Sequence, residues 1–184
     1  VKAKITESQE WMPQTNKVEN TIQFNYFINN ELINIKYRDG RKNFKLVKDA
    51  EKVFYNLDST VGHDNVVIVE GEMDTLSFIE AGVTSVVSVP NGATLNRLNL
   101  EYLDNCIEYF EDKSKIILAV DGDEAGQNLQ QELIRRFGAE VCYTISFGSC
   151  KDANEYLLDY GSSMLSRLVS QAEPVPLENV VTLN

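Results

Sequence analysis

The chain has 184 residues, is 43% hydrophobic and carries a formal net charge of −11. That length can bury one substantial core, and the charge excludes a protein that grips nucleic acid over its whole surface. No apolar run approaches the roughly eighteen residues of a membrane span, so no membrane partner is expected. Three cysteines (Cys106, Cys142, Cys150) without CxxC spacing, and a single histidine, His63, exclude a structural zinc site. An odd thiol count with no secretory signal points to a reducing, cytosolic setting.

Residues 1–20 are polar, contain Pro13 and show no period, so they are expected to be a leader or upstream linker; the start at Val1 is read as a segment of something longer. From Thr21 the residues alternate, with Ile22, Phe24, Tyr26 and Ile28 on one side and a turn at Asn29 and Asn30. The return strand sets Ile33, Ile35 and Tyr37 against Asn34, Lys36 and Arg38, and Asp39-Gly40 is a strong hairpin signal. A two-residue turn there would put Arg38 opposite Arg41 and gather Lys36, Arg38, Arg41 and Lys45 on one face, with Lys42 on the other. A one-residue bulge after Gly40 would change that register. Between Lys36 and Lys48 stand six basic residues and one acid, a local +5 in an acidic chain, which marks a contact surface for a polyanion. A basic edge strand that discourages aggregation would look the same.

Residues 21–64 are thus expected to form a basic β subdomain, 65–172 an α/β domain, and 173–184, with Pro174 and Pro176, a linker. His63 reads as a surface residue. From Val66 strand and helix alternate: strands over 66–70, 85–89, 116–120 and 140–145, helices over 73–81, 99–110, from Ala125 to Gly138, from Asp152 onwards and over 163–171. Such repeats build a parallel sheet with right-handed crossovers.

Two strands end in acids and glycine: NVVIVEGEMD over 65–74, and IILAVDGDEAG over 116–126. The carboxyl ends of parallel strands form the rim where ligands bind, so Glu70, Asp121 and Asp123 should converge there. Converging carboxylates need a cation, and hard divalent ions take oxygen ligands. Any one of these acids could instead cap a helix, as Asp does well, and Glu72, Asp74 and Glu124 suit a first helical turn. Gly71 and Gly122 allow tight turns that open space beside the acids. The turn Pro90-Asn91-Gly92-Ala93 offers backbone amides to a phosphate.

The ordered set Glu70-Gly71-x-x-Asp74, Asp121-Gly122-Asp123-x-Ala125-Gly126 and Lys151-Asp152-Ala153-Asn154-Glu155 resembles the TOPRIM domain. With the block YRDGRKNFK over 37–45, it is similar to the RNA-polymerase domain of phage-type and Twinkle-like primase-helicases. The resemblance covers about residues 20–160. It implies an α/β fold, a TOPRIM-type parallel sheet flanked by helices, with a small N-terminal antiparallel β-hairpin subdomain. It implies synthesis of short RNA primers from ribonucleoside triphosphates on single-stranded DNA, with Mg²⁺ or Mn²⁺. Glu70, Asp121 and Asp123 would be catalytic and metal-binding, with Asp152 completing the metal site. Lys36, Arg38, Arg41, Lys42, Lys45 and Lys151 would hold nucleotide or template. Gly71, Asp74, Gly122, Asn91 and Gly92 would support them, Asp74 by orienting Glu70 or an outer-shell water. A helicase domain would follow, in the cytoplasm of a bacterium or phage-infected cell.

Other readings use the same acids. A TOPRIM nuclease would use water as nucleophile, and a catalytically silent module would only bind nucleic acid or a partner domain. A phosphoacceptor receiver leaves the Asp121-x-Asp123 pair and the N-terminal hairpins unexplained, and a haloacid-dehalogenase-type phosphatase places its Asp-x-Asp on the first strand.

Overall fold

The computed structural model describes residues 5–92 and 100–177. Two sheets divide the chain. The first is antiparallel, in the order β1 (Ile5–Met12), β2 (Lys17–Ile28), β3 (Glu31–Asp39) and β4 (Phe44–Leu46). The second follows in strand-helix alternation: β5 (Asn65–Val69), α1 (Glu72–Glu80), β6 (Val86–Ser88), the single turn α2 (Glu101–Asp104), β7 (Lys115–Ala119), α3 (Glu124–Phe137), β8 (Cys142–Thr144), α4 (Ala153–Tyr160), α5 (Ser162–Ser170) and β9 (Glu173–Pro174). Its order is β6-β5-β7-β8-β9, parallel from β6 to β8, with β9 antiparallel at the edge.

The run Val66-Val67-Ile68-Val69 is apolar throughout because both faces of β5 are covered. Val66 and Ile68 join Ile116 and Leu118 of β7 beneath Phe54, Leu103, Leu129 and Leu133. Val67 and Val69 join Ile117 and Ala119 beneath Phe78, Phe147 and Leu165. Phe24 and Tyr26 of β2 belong to the first of these clusters and meet Tyr55 edge-on, so the two sheets share one core.

Four expectations are corrected. Residues 5–12 are a strand, paired with β2 from Ile5↔Phe24 to Met12↔Lys17, and not an irregular leader. Only Met12 of that strand is buried, so the alternation lacks the apolar contrast that marks a half-buried strand. The helix expected over 99–110 is α2 followed by a turn of 3₁₀ helix at Ile107–Tyr109; the chain leaves helical geometry at Cys106, which is fully buried. Residue 99, its expected start, lies outside the described residues. Glu173 and Pro174 pair with β8, so the expected linker begins inside the sheet.

The fourth correction concerns the basic hairpin. Asp39 pairs with Asn43 and the turn holds Gly40, Arg41 and Lys42, with Lys42 at φ +63°. Asp39 fixes this longer turn by accepting the amides of Arg41 and Asn43, each at 2.9 Å. The resulting register, Lys36↔Leu46, Tyr37↔Lys45 and Arg38↔Phe44, puts Lys45 on the face opposite Lys36 and Arg38. There Lys45 ties the two outer strands together: its Nζ lies 2.6 Å from Glu10 Oε1 and 2.8 Å from the Trp11 carbonyl, and 5.0 Å above the Tyr37 ring.

Candidate active site

Glu70 directly follows β5 and Asp121 stands just past β7, neighbours in the parallel sheet. Glu70 Oε1 accepts the Asp121 amide at 2.9 Å, so the two acids are fixed to one another through the backbone. Gly126 makes this approach possible, since a Cβ there would overlap the Asp121 carbonyl oxygen and Glu70 Oε1. The glycine that closes Asp-Gly-Asp-x-Ala-Gly is therefore a spacing device between strand and helix.

Asp123 and Asp152 each sit at a helix start. Asp123 accepts the Gly126 amide at 3.0 Å and caps α3; Asp152 accepts the Glu155 amide at 2.8 Å and caps α4. Both carboxylates still act on the strand-end acids, because both push the Asp121 pKa upward. Asp121 is raised chiefly by burial, with Lys151 opposing; Lys151 Nζ lies 3.6 Å from Asp121 Oδ2, and its own pKa is raised by that carboxylate first. The Gly122 amide donates to the Lys151 carbonyl at 3.3 Å, which brings the third motif against the second.

Asp74, in the first turn of α1, is only 8% exposed. Burial, and then the carboxylates of Asp152, Asp121 and Glu70, push it up to about 7, although the Asn154 amide donates to it at 3.2 Å and pulls the other way. Three segments far apart in sequence thus bring carboxylates into one electrostatic neighbourhood. Among the described residues no three acids, cysteines or histidines are arranged to hold one metal ion between them. The donor chemistry nonetheless suits a hard divalent cation: burial, and then repulsion among the carboxylates, raise Asp74 to about 7, and Lys151 pairs with Asp121.

A cleft of about 420 Å³ joins these acids to the first sheet. Glu70, Gly71, Asp74 and Asp121 line one side, Phe44, Lys45 and Leu46 the other, and Pro90, Asn91 and Gly92 a further edge. The expected contact residues separate here. Lys36 also lines the cleft but is 9% exposed, in an ion pair with Glu72. Arg38 faces a second groove, lined also by Glu7, Gln9, Asn20 and Ile22. Arg41 and Lys42 project from the hairpin tip and, among the described residues, form no ion pair. His63 is exposed, as expected, and burial pushes the Cys106 and Cys142 thiols up to about 11, which removes them from nucleophilic chemistry.

Glu72 was missed by sequence reasoning, which assigned it to an ordinary first helical turn. One signal was available. Lys36 shares a β-face with Phe24 and Tyr26, which the alternation turns toward the core, and an inward lysine requires a buried carboxylate.

Acids gathered past the ends of neighbouring parallel strands, with helices on both faces, define an α/β domain with an acidic catalytic-type rim. A family model described as Toprim-like matches residues 67–157. A primase homolog protein of Arabidopsis thaliana is 35% identical over 97% of the chain and 58% of its own length. The Twinkle homolog protein of the same plant is 35% identical over 86% of the chain and 25% of its length. The primase fragment of the bacteriophage T7 primase-helicase superposes with a TM-score of 0.70 at 28% identity, covering 82% of this chain and 63% of that one. Residues 67–157 thus match a Toprim-like domain, and the chain is similar over most of its length to primase homologues. It spans little more than half the length of the first of these relatives and a quarter of the second. Toprim domains are metal-dependent, in keeping with the acid rim. Among the described residues no helix is long and apolar enough to cross a membrane.

Proposed function

We propose that the chain is the RNA-polymerase domain of a DNA primase, joining ribonucleoside triphosphates on a single-stranded DNA template into short primers. The observation that carries this reading is the shared field of Glu70, Asp74, Asp121 and Asp152 at one edge of a cleft whose opposite wall is the basic hairpin. Glu70, Asp121, Asp123 and Asp152 would hold Mg²⁺, or Mn²⁺ in its place. Such an ion, when bound, lowers the pKa of an attacking hydroxyl and stabilises the leaving oxygen.

The chain's own groups do the rest. Glu70, fixed to the Asp121 amide, keeps the two strand-end acids at a set separation. Lys151 offsets charge at Asp121 and stands where a triphosphate would need a cation. Asp74, raised to about 7 by burial first and then by the neighbouring carboxylates, is partly protonated near neutral pH, which lowers the charge density of the rim. Arg41 and Lys42, which form no ion pair among the described residues, would hold template backbone. A helicase domain would follow in the longer protein, as the relatives named for that pairing suggest, with the cytoplasm of a bacterium or an infected cell as its place.

A second reading is supported by one observation: among the described residues no three acids stand ready to hold one ion, which suits a silent module that binds DNA without turnover. The test is incubation with labelled ribonucleotides, Mg²⁺ or Mn²⁺ and single-stranded DNA. Primer synthesis that Asp121→Ala abolishes supports the polymerase. Degradation of the DNA would make the chain a nuclease, and binding without product would make it the silent module.

A further inference from the structure

The floor of the cleft holds a polar network, Lys36 with Glu72, that the acid rim does not use. Glu72, the first residue of α1, is 3% exposed. Lys36 Nζ reaches it from β3, 2.8 Å from Oε1 and 3.1 Å from Oε2, and donates to the Pro90 carbonyl at 2.8 Å. The Tyr26 hydroxyl donates to the same carboxylate, and the Phe44 ring lies 5.0 Å from the ammonium. Burial first, and then the Glu72 charge, raise the pKa of both Tyr26 and Tyr55, which keeps both phenols neutral.

An ammonium has three N–H donors, and here all three meet protein oxygens. Its charge is balanced by a carboxylate almost without solvent, and removing either partner would strand the other. Lys36 is therefore poorly placed to bind an anion in the cleft. What the pair does is join three pieces of chain that line that cleft: β3 of the first sheet, the start of α1 two residues after Glu70, and the turn after β6 at Pro90.

We propose that Glu72 and Lys36 are positioning residues, which fix the Pro90–Gly92 turn against the Glu70–Gly71 segment so that the turn receives the incoming ribonucleotide. This deepens the primer-synthesis reading and rests on it. Gly92 adopts φ +64° and Asn91 is exposed, so the turn presents backbone rather than bulky side chains to the cleft. The Pro90 carbonyl, held by Lys36, sets where that backbone stands.

The full chain and three variants decide the matter: Glu72→Gln, Lys36→Met, and the two combined. KM and kcat for ribonucleotides are measured in primer synthesis, and amide hydrogen exchange at Asn91 and Gly92 is measured without nucleotide. Each single variant is expected to raise KM by about tenfold to a hundredfold. Each should also speed exchange at Asn91 and Gly92 while Ile68 and Leu118 in the central strands stay protected. The double variant, in which the Pro90 carbonyl has likewise lost Lys36, should show the same rise in KM and the same faster exchange as Lys36→Met alone. A Glu72→Gln variant with lowered KM would overturn the proposal, because it would mean that a freed Lys36 grips the triphosphate directly. Unchanged exchange at Asn91 and Gly92 in both single variants would also overturn it, as would additive losses in the double. Should the unaltered chain make no primers, the polymerase reading falls, and the exchange measurement still decides whether the pair holds the turn.

Discussion

The two walls of the cleft treat charge in opposite ways. On the hairpin wall the cations nearest the cleft are already matched, Lys36 by Glu72 and Lys45 by Glu10. On the sheet wall the acids are crowded and partly buried: Asp121 is raised despite Lys151, and Asp74 is raised to about 7. Matched charge rigidifies a wall, whereas unmatched charge of one sign makes a wall that waits for a counter-ion. The cleft's unmet demand is therefore for a cation at the acids. Its unspent positive charge lies farther out, at Arg38, Arg41 and Lys42.

The largest break in this contrast is Asp121→Asn. It removes a rim acid without changing shape, and primer synthesis should fall by about a thousandfold, the equivalent of some 4 kcal/mol of transition-state stabilisation. Stability should move the other way. Because Asp121 is ionised only against resistance, its neutral replacement should leave the metal-free melting temperature unchanged or a few degrees higher at pH 8. Thermal melts run beside primer assays would check both halves, and a strongly destabilised variant would refute the picture of a repulsive rim.

Next comes Gly126→Ala. Its methyl group would overlap the Asp121 carbonyl and Glu70 Oε1, so strand and helix must part. Overpacking of this kind costs about 1–3 kcal/mol. Denaturant midpoints should fall accordingly, and activity should drop with them, because the bond from the Asp121 amide to Glu70 is lost. A stable and active variant would mean that the two strand-end acids need not be held at their present separation.

A smaller effect tests the rim through pH. The folded pKa of Asp74, about 7, lies above its unfolded value near 4, so the folded state binds more protons between those limits. The stability this contributes is complete below pH 4 and is lost as pH rises through 7. Metal-free melting temperatures should therefore show a downward component over that range. Asp74→Asn should remove it and stabilise the protein at pH 8 by a few degrees. Magnesium should flatten the same component by favouring the ionised acids, with about 2.7 kcal/mol gained at a hundredfold excess over its dissociation constant. A profile identical in Asp74→Asn and the parent would place the repulsion elsewhere.

Legibility in the sequence followed the same division. The sheet wall was readable because its signals are local: an apolar run such as Val66 to Val69 followed by Glu70-Gly71, and the same grammar at Asp121, gave strand, turn and acid together. The other wall depended on register, which no local residue determines. Asp39 recruits the amides of Arg41 and Asn43 and lengthens the turn to three residues, an odd offset from the two-residue alternative, and so moves Lys45 to the opposite face. The strand at Ile5–Met12 was illegible for a related reason: on an edge strand only one residue is buried, and the polar residues between carry no period. Glu72 was hidden because its partner, Lys36, arrives from 36 positions away.

The smallest expected effects separate basic residues that look alike in sequence. Arg38, Arg41 and Lys42 form no ion pair among the described residues, so a polyanion would release a counter-ion for each contact it makes with them. Substituting any one by alanine should weaken single-stranded DNA binding at low salt and reduce the slope of log K against log salt by about 0.7. Lys45→Met should leave that slope unchanged, because its charge is already met by Glu10 and its stem lies on Tyr37. The cost there should appear in stability instead, about 1 kcal/mol at most, since both partners are partly exposed: 27% for Lys45 and 29% for Glu10. Fluorescence anisotropy across a salt series distinguishes the two groups. A slope lowered equally by Lys42→Ala and Lys45→Met would mean that DNA displaces Glu10 from Lys45, and that the hairpin wall is a reservoir of charge rather than a rigid support.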